Sequence, residues 1–165
     1  MKPSALTRDA FVARFGPVYE ASPWVAEAVW PVVARGALDD PDAMAQAMRD
    51  VVDGAPRAQR LALIRAHPQL AVASNMAPAS VEEQRGAGLD QCSPDELAAF
   101  QRLNAAYLAR FGHPFIIAVK GLSRDDILAS FVDRLENGAE AEFATAMAQI
   151  HRIAGFRLAA LFDPG

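Results

Sequence analysis

Apolar residues recur along this chain at the three-to-four spacing of amphipathic helices, and a capping residue or a glycine punctuates almost every run. A first helix opens at Thr7 and carries Phe11, Val12 and Phe15 as far as Gly16. Ser22 and Pro23 supply an N-cap and a first helical proline for a second helix that reaches Trp30. Asp40-Pro41 repeats that signature ahead of Met44, Met48, Val51 and Val52, and Gly54 closes the stripe. Pro56 opens a helix with Leu61 and Ile64 facing inward, and that helix has to end by Ala66, because Pro68 pushes His67 out of the αR region. Between Gln69 and Ala79 the signal is mixed, with a short helix open at Leu70 to Ala73 before Ser74 to Pro78 loops across, and the stretch reads as a loop that shapes the pocket; Ser80-Val81-Glu82-Glu83 reads as a capping box opening a helix that stops near Gly86 or Gly88.

The second half is plainer. Ser93-Pro94-Asp95-Glu96 is the clearest cap in the chain, and behind it Leu97, Phe100, Leu103, Asn104, Tyr107, Leu108 and Phe111 trace one broad face up to Gly112. Ser123 and Asp126 cap a helix carrying Ile127, Leu128, Phe131, Val132 and Leu135, closed by Asn137-Gly138. The last helix runs from near Ala139 to about Phe162, with Phe143, Met147, Ile150, Ala154 and Leu161 on one face. One run breaks the pattern. His113 to Gly121 has no helical period, is rich in β-branched residues and is bracketed by Pro and Gly, so it reads as an extended segment without a partner strand. Something else has to satisfy its backbone N–H and C=O groups, and a planar, polar ligand would serve. The pattern as a whole predicts an all-α, single-domain bundle of about eight to ten short helices with one short extended segment, spanning residues 1–165.

Composition narrows the function rather than the fold. With 52% hydrophobic and 22% charged residues the chain is ordinary for a soluble globular protein, and a net charge of −4 provides no basic surface for nucleic acid. The single cysteine, Cys92, forms no internal disulfide, and no Cys/His cluster has the spacing of a zinc site. No apolar run is long enough to span a bilayer and the N-terminus lacks the apolar core of a signal peptide, so the expected compartment is the cytoplasm.

Three side chains carry candidate chemistry. His67 sits at a helix junction where the backbone aims its ring. Glu83 completes a capping box on spacing alone. Arg157 falls on the apolar stripe of the last helix, where a guanidinium requires an anion; a core carboxylate is the simplest one. His113 reads as pocket lining or structural, His151 as a partly exposed helix residue, and Cys92 as a bystander.

Taken together, His-Pro-Gln-Leu-Ala at 67–71, Ser-Val-Glu-Glu-Gln at 80–84 and Ala-Gly-Leu at 87–89 resemble the central motifs of the 2-oxo-4-hydroxy-4-carboxy-5-ureidoimidazoline (OHCU) decarboxylases. The segment Glu20-Ala21-Ser22-Pro23-Trp24-Val25 and the Arg157-Leu158 pair are similar to further motifs of that family, as is the extended run, where His113 and Ala118 stand in place of the more usual Phe and Cys. The resemblance implies release of carbon dioxide from OHCU to give (S)-allantoin in urate breakdown. It implies catalysis by His67, Glu83 and Arg157. Substrate binding would fall to Pro68, Ser80, Val81, Glu82 and Gln84, and to the main chain of Phe115, Ile116, Ile117, Ala118 and Val119. It further implies no metal, no organic cofactor and a homodimer. Two other classes stay open on the residues alone: a non-catalytic helical interaction module, in which Arg157 pairs internally and Glu83 only caps, and a hydrolase acting on a related ureide.

Overall fold

Thr7, Asp40, Ser93 and Ser123 each cap the start of a helix. The computed structural model describes residues 1–72 and 76–163, and among these it holds eight α-helices and no strand. They are α1 (Arg8–Phe15), α2 (Trp24–Val33), α3 (Pro41–Asp53), α4 (Arg57–Ala66), α5 (Pro78–Gly86), α6 (Pro94–Phe111), α7 (Arg124–Leu135) and α8 (Ala139–Phe162). Thr7 and Asp40 accept from the backbone amides of Ala10 and Ala43. Ser93/Glu96 and Ser123/Asp126 form complete reciprocal capping boxes. Gly112 ends α6 in the left-handed conformation, with φ 75°, and its N–H donates to the Leu108 carbonyl.

Two expected starts are displaced. The Ser22 hydroxyl donates to the Glu20 carbonyl at 2.8 Å instead of capping, so α2 begins after Pro23 and continues through Pro31 to Val33. The Ser80 capping box does not form. α5 begins with Pro78 as its first helical residue and Ala77 before it, which puts Ser80 and Glu83 inside the helix. Proline at the first helical position outcompetes the serine two residues later because its fixed φ already suits the helix and its missing N–H would be unsatisfied there anyway. Leu70 and Ala71 form a turn, as the loop reading of this stretch expects and without the short helix open at 70–73; residues 73–75 lie outside the described residues.

The chain folds as two compact units. The first comprises residues 1–66 and 151–165, the second residues 67–150. In the first, α1 packs on α2 and α2 on α3, around Phe11, Val29, Met44, Met48, Val52 and Ile64. Phe11 stacks on Phe15 with centroids 4.7 Å apart. On α4, Ile64 is buried as its spacing predicts, but Leu61 is only half-buried and Leu63 takes the second inward place. In the second unit α6 packs on α7 around Leu70, Phe100, Leu103, Tyr107, Phe115, Ile127 and Phe131. The apolar face of α6 is narrower than expected: Leu97 and Leu108 are exposed, as is Val132 on α7. No helix of the described residues is long and apolar enough to cross a membrane.

Candidate active site

The chain leaves α4 at Ala66, and His67 opens the second unit almost fully buried, at 8% exposure. Pro68 and Gln69 are half-buried, Leu70 enters the core, and Ala71 takes a left-handed backbone conformation with φ 56°. Such a conformation costs a residue with a Cβ about 1 kcal/mol or more, so surrounding contacts have to hold it. They come from two buried side-chain amides. Gln84 on α5 donates to the Gln69 carbonyl and accepts from the Ala71 N–H, both at 3.1 Å. Asn104 on α6 donates to the Leu70 carbonyl at 3.0 Å.

On α5, Ser80, Glu83 and Gln84 share one face by their three- and four-residue spacing; Ser80 and Gln84 are buried and Glu83 is half-buried. Glu82 lies on the exposed side and pairs with Arg85 at 3.1 Å. Val81 is half-buried and lines a cavity of about 340 Å³ together with Gln84, Leu89 and Cys92. Burial raises the Cys92 thiol above its ordinary pKa, which suppresses the thiolate.

The extended segment is present, and its side chains are turned largely into the core. Phe115, Ile116, Ala118 and Val119 are buried and Ile117 half-buried. Protein groups meet part of the demand that a ligand was expected to meet. Arg134 donates to the Ile116 carbonyl, Gln149 accepts from the Ala118 N–H at 2.9 Å, and the Val119 carbonyl accepts from Leu122. Arg134 also lies over the Phe115 ring, 4.3 Å from its centroid, and its Nε donates at 2.6 Å to Glu142, which is fully buried and accepts in addition from the Tyr107 hydroxyl. Arg134 lies seven residues after Ile127 and three after Phe131, so the spacing that buries those two residues of α7 carries the guanidinium into the core with them. His113 is a core residue: it lies edge-on to Tyr107, with ring centroids 5.6 Å apart, and its Nδ1 is 3.0 Å from the Pro114 carbonyl. Because that carbonyl only accepts, Nδ1 carries the proton.

Arg157 belongs to the first unit. Its Nη2 is 2.9 Å from the Glu20 carboxylate, with both side chains nearly buried, and its Nη1 donates to the Pro17 carbonyl at 3.1 Å. The anion required by a guanidinium on an apolar stripe is therefore the glutamate of the Glu-x-Ser-Pro-Trp segment. The same unit holds a hydrogen-bonded series that the sequence does not announce. The His151 imidazole, its side chain 6% exposed, joins the Tyr19 hydroxyl to the Asp53 carboxylate, at 2.8 Å on each side. Positions 19, 53 and 151 meet only through tertiary packing, and no local spacing links them.

The family model of the OHCU decarboxylases matches residues 4–159. This chain belongs to that family. The 2-oxo-4-hydroxy-4-carboxy-5-ureidoimidazoline decarboxylase of Haloferax volcanii is 42% identical over 158 residues, covering 96% of this chain and 92% of its own length. Among solved structures, (S)-allantoin synthase superposes on 96% of the chain with a TM-score of 0.78 and 30% identity, and this chain spans about half (52%) of that longer protein. An OHCU decarboxylase crystallised in the presence of (S)-allantoin superposes with a TM-score of 0.63 and 26% identity, over 74% of this chain and 81% of its own. The 67–71 and 80–84 motifs that carry the resemblance are also joined physically in the second unit, where Gln84 of one holds the main chain of the other.

Proposed function

We propose that this protein decarboxylates OHCU to (S)-allantoin as a step of urate breakdown, with His67 as acid/base, Glu83 as its polar partner and Arg157 as an anion-binding group. The observation that carries the reading is the family match over nearly the whole chain, together with a structural relative crystallised in the presence of (S)-allantoin.

The chemistry needs little from the protein. The substrate bears a carboxylate and a hydroxyl on one ring carbon, beside a carbon held in a C=N bond. When the C–C bond to the carboxylate breaks, its electron pair passes into the adjacent imine, so the ring is its own electron sink. A proton is then delivered to the ureido-bearing carbon on one face, which sets the configuration of the product. The His67 imidazole takes the hydroxyl proton or supplies the carbon-bound one. Glu83 lies within α5 rather than at its cap, which supports a role for its carboxylate other than capping, toward the ureido or ring nitrogens or toward His67. Ser80, Val81, Glu82 and Gln84 are the proposed neighbours along α5, with Pro68 beside His67. The amide of Gln84 is already engaged by main chain, and Glu82 is turned to solvent, so Ser80 is the better candidate for direct contact. The main chain of Phe115–Val119 is the proposed contact of the extended segment, away from the Ile116 carbonyl, the Ala118 N–H and the Val119 carbonyl that protein groups already engage. Arg157 would orient the substrate's anionic groups through a planar fork whose charge Glu20 already offsets. That offset favours orientation over tight ground-state binding of the departing carboxylate.

The same reading carries a homodimer, a cytoplasmic location and activity without a metal or organic cofactor. The test mixes purified protein with freshly generated OHCU and follows circular dichroism and carbon dioxide together. Accelerated formation of one allantoin enantiomer with matching gas release is expected; ureide hydrolysis without carbon dioxide, or no rate enhancement, overturns the reading. His67→Asn is expected to lose at least about two orders of magnitude in turnover while staying folded. Light scattering that returns only the monomer mass across a concentration series removes the dimer.

A further inference from the structure

We propose that Asn104 is a positioning residue for His67: with Gln84 it forms a two-amide clamp on the main chain of residues 69–71 and so fixes where the imidazole stands. The inference rests on the acid/base role given to His67 above.

Asn104 is an amide in the wrong place for stability. It is 4% exposed, on the stripe of α6 that otherwise carries Phe100, Leu103 and Tyr107, all of them buried. An amide there costs free energy unless both of its ends are paired. Only one end is. The amide nitrogen donates to the Leu70 carbonyl at 3.0 Å, while Oδ1 is buried and has no partner among the described residues. The orientation of the amide is settled by chemistry, because a carbonyl accepts only from the NH2 side. A leucine of similar shape would avoid the unpaired oxygen. What it would lack is the donor to Leu70, so that donor is the reason for an asparagine here.

The bond does not act alone. Gln84 holds Gln69 O and Ala71 N, on either side of Leu70, so three consecutive residues are gripped by side chains from α5 and α6. The Leu70 side chain is set in the same apolar cluster as Phe100 and Leu103. Ala71 is held at φ 56°, a conformation the free loop would leave. Between the clamp and His67 there is only Pro68, which restricts its own φ and the backbone of the residue before it. His67 is therefore fixed from its C-terminal side by the clamp, and a displacement of about 1 Å at a reacting group costs roughly 100-fold in rate.

The test is Asn104→Leu, which keeps shape and removes the donor. The expected result is a folded protein with turnover on OHCU lowered roughly 10–100-fold and KM within about twofold, because Asn104 is not among the proposed substrate contacts. In 15N-histidine-labelled protein, the His67 signals, assigned by their loss in His67→Asn, shift or broaden and their titration moves. Unchanged kcat with an unmoved His67 titration overturns the proposal. If Asn104→Leu does not fold, Asn104→Asp decides. A buried carboxyl with a raised pKa donates to Leu70 only while protonated, so its kcat is expected to fall relative to wild type as pH rises; a profile parallel to wild type overturns the clamp. Wild-type protein that leaves OHCU untouched removes the functional reading, and the His67 titration, which needs no substrate, still decides the clamp.

Discussion

Glu83 sits more than a turn inside α5, and this makes its substitution informative. A capping glutamate replaced by glutamine would cost stability and spare turnover. Here Glu83→Gln is expected to leave thermal unfolding nearly unchanged and to lower kcat by roughly two orders of magnitude or more, measured by steady-state kinetics on OHCU. Near-normal turnover would leave His67 and Arg157 as the whole of the proposed machinery. Arg157→Lys tests the other charged residue. Lysine keeps the charge facing Glu20 but loses the planar fork and the second donor to Pro17, so KM is expected to rise severalfold with a smaller change in kcat.

At the scale of elements, two junctions carry most of the consequence. The turn after α5 passes through Gly88 at φ 76°, and a Cβ there would stand 2.8 Å from Arg124 Nη1, which donates to the Gly88 carbonyl while Nε holds Glu96. Gly88→Ala combines a left-handed penalty with the displacement of a tethered guanidinium, and about 1–2 kcal/mol of destabilisation is expected from urea unfolding. The extended segment depends on α7 in the same way. Arg134→Leu leaves Glu142 fully buried without its cation and the Ile116 carbonyl without its donor. A loss of about 3–5 kcal/mol is expected on denaturant titration, since breaking one half of a buried pair strands the other charge. A loss below about 1 kcal/mol would mean that Tyr107 and Asn137 suffice to hold that carboxylate.

Across the whole molecule, the pH dependence of stability has an identifiable source in the first unit. Burial holds the His151 imidazole below the ordinary histidine value of 6.5; Arg49 pushes the same way and Asp53 opposes them. The unfolded chain therefore takes up this proton first. Stability is complete above about pH 6.5 and is lost progressively as pH falls from there toward the lower folded value. Thermal unfolding from about pH 8 to 5 is expected to show this decline, and His151→Gln, which retains a polar contact for Tyr19, is expected to flatten it. An equal decline in the variant would place the sensitivity elsewhere.

What the sequence determined by itself is the set of helices and the family. Caps such as Asp40, Ser93 and Ser123 act within three residues, and left-handed Gly112 ends α6 by its own φ, so these boundaries are local and legible. The motifs at 67–71 and 80–84 are equally legible as a pattern. The start of α5 is not, because Pro78 and Ser80 are both good starting residues and spacing alone does not rank them. Tertiary structure alone decided the partners. Glu20 for Arg157, Tyr19 and Asp53 for His151, and Ile116 and Glu142 for Arg134 are separated by 8 to 137 residues, and no periodicity encodes which carboxylate or carbonyl a buried cation will meet. Asn104 is the sharpest case. In the sequence it is one more position on an apolar stripe, and only the fold, by bringing the Leu70 carbonyl to it, supplies the donor's purpose.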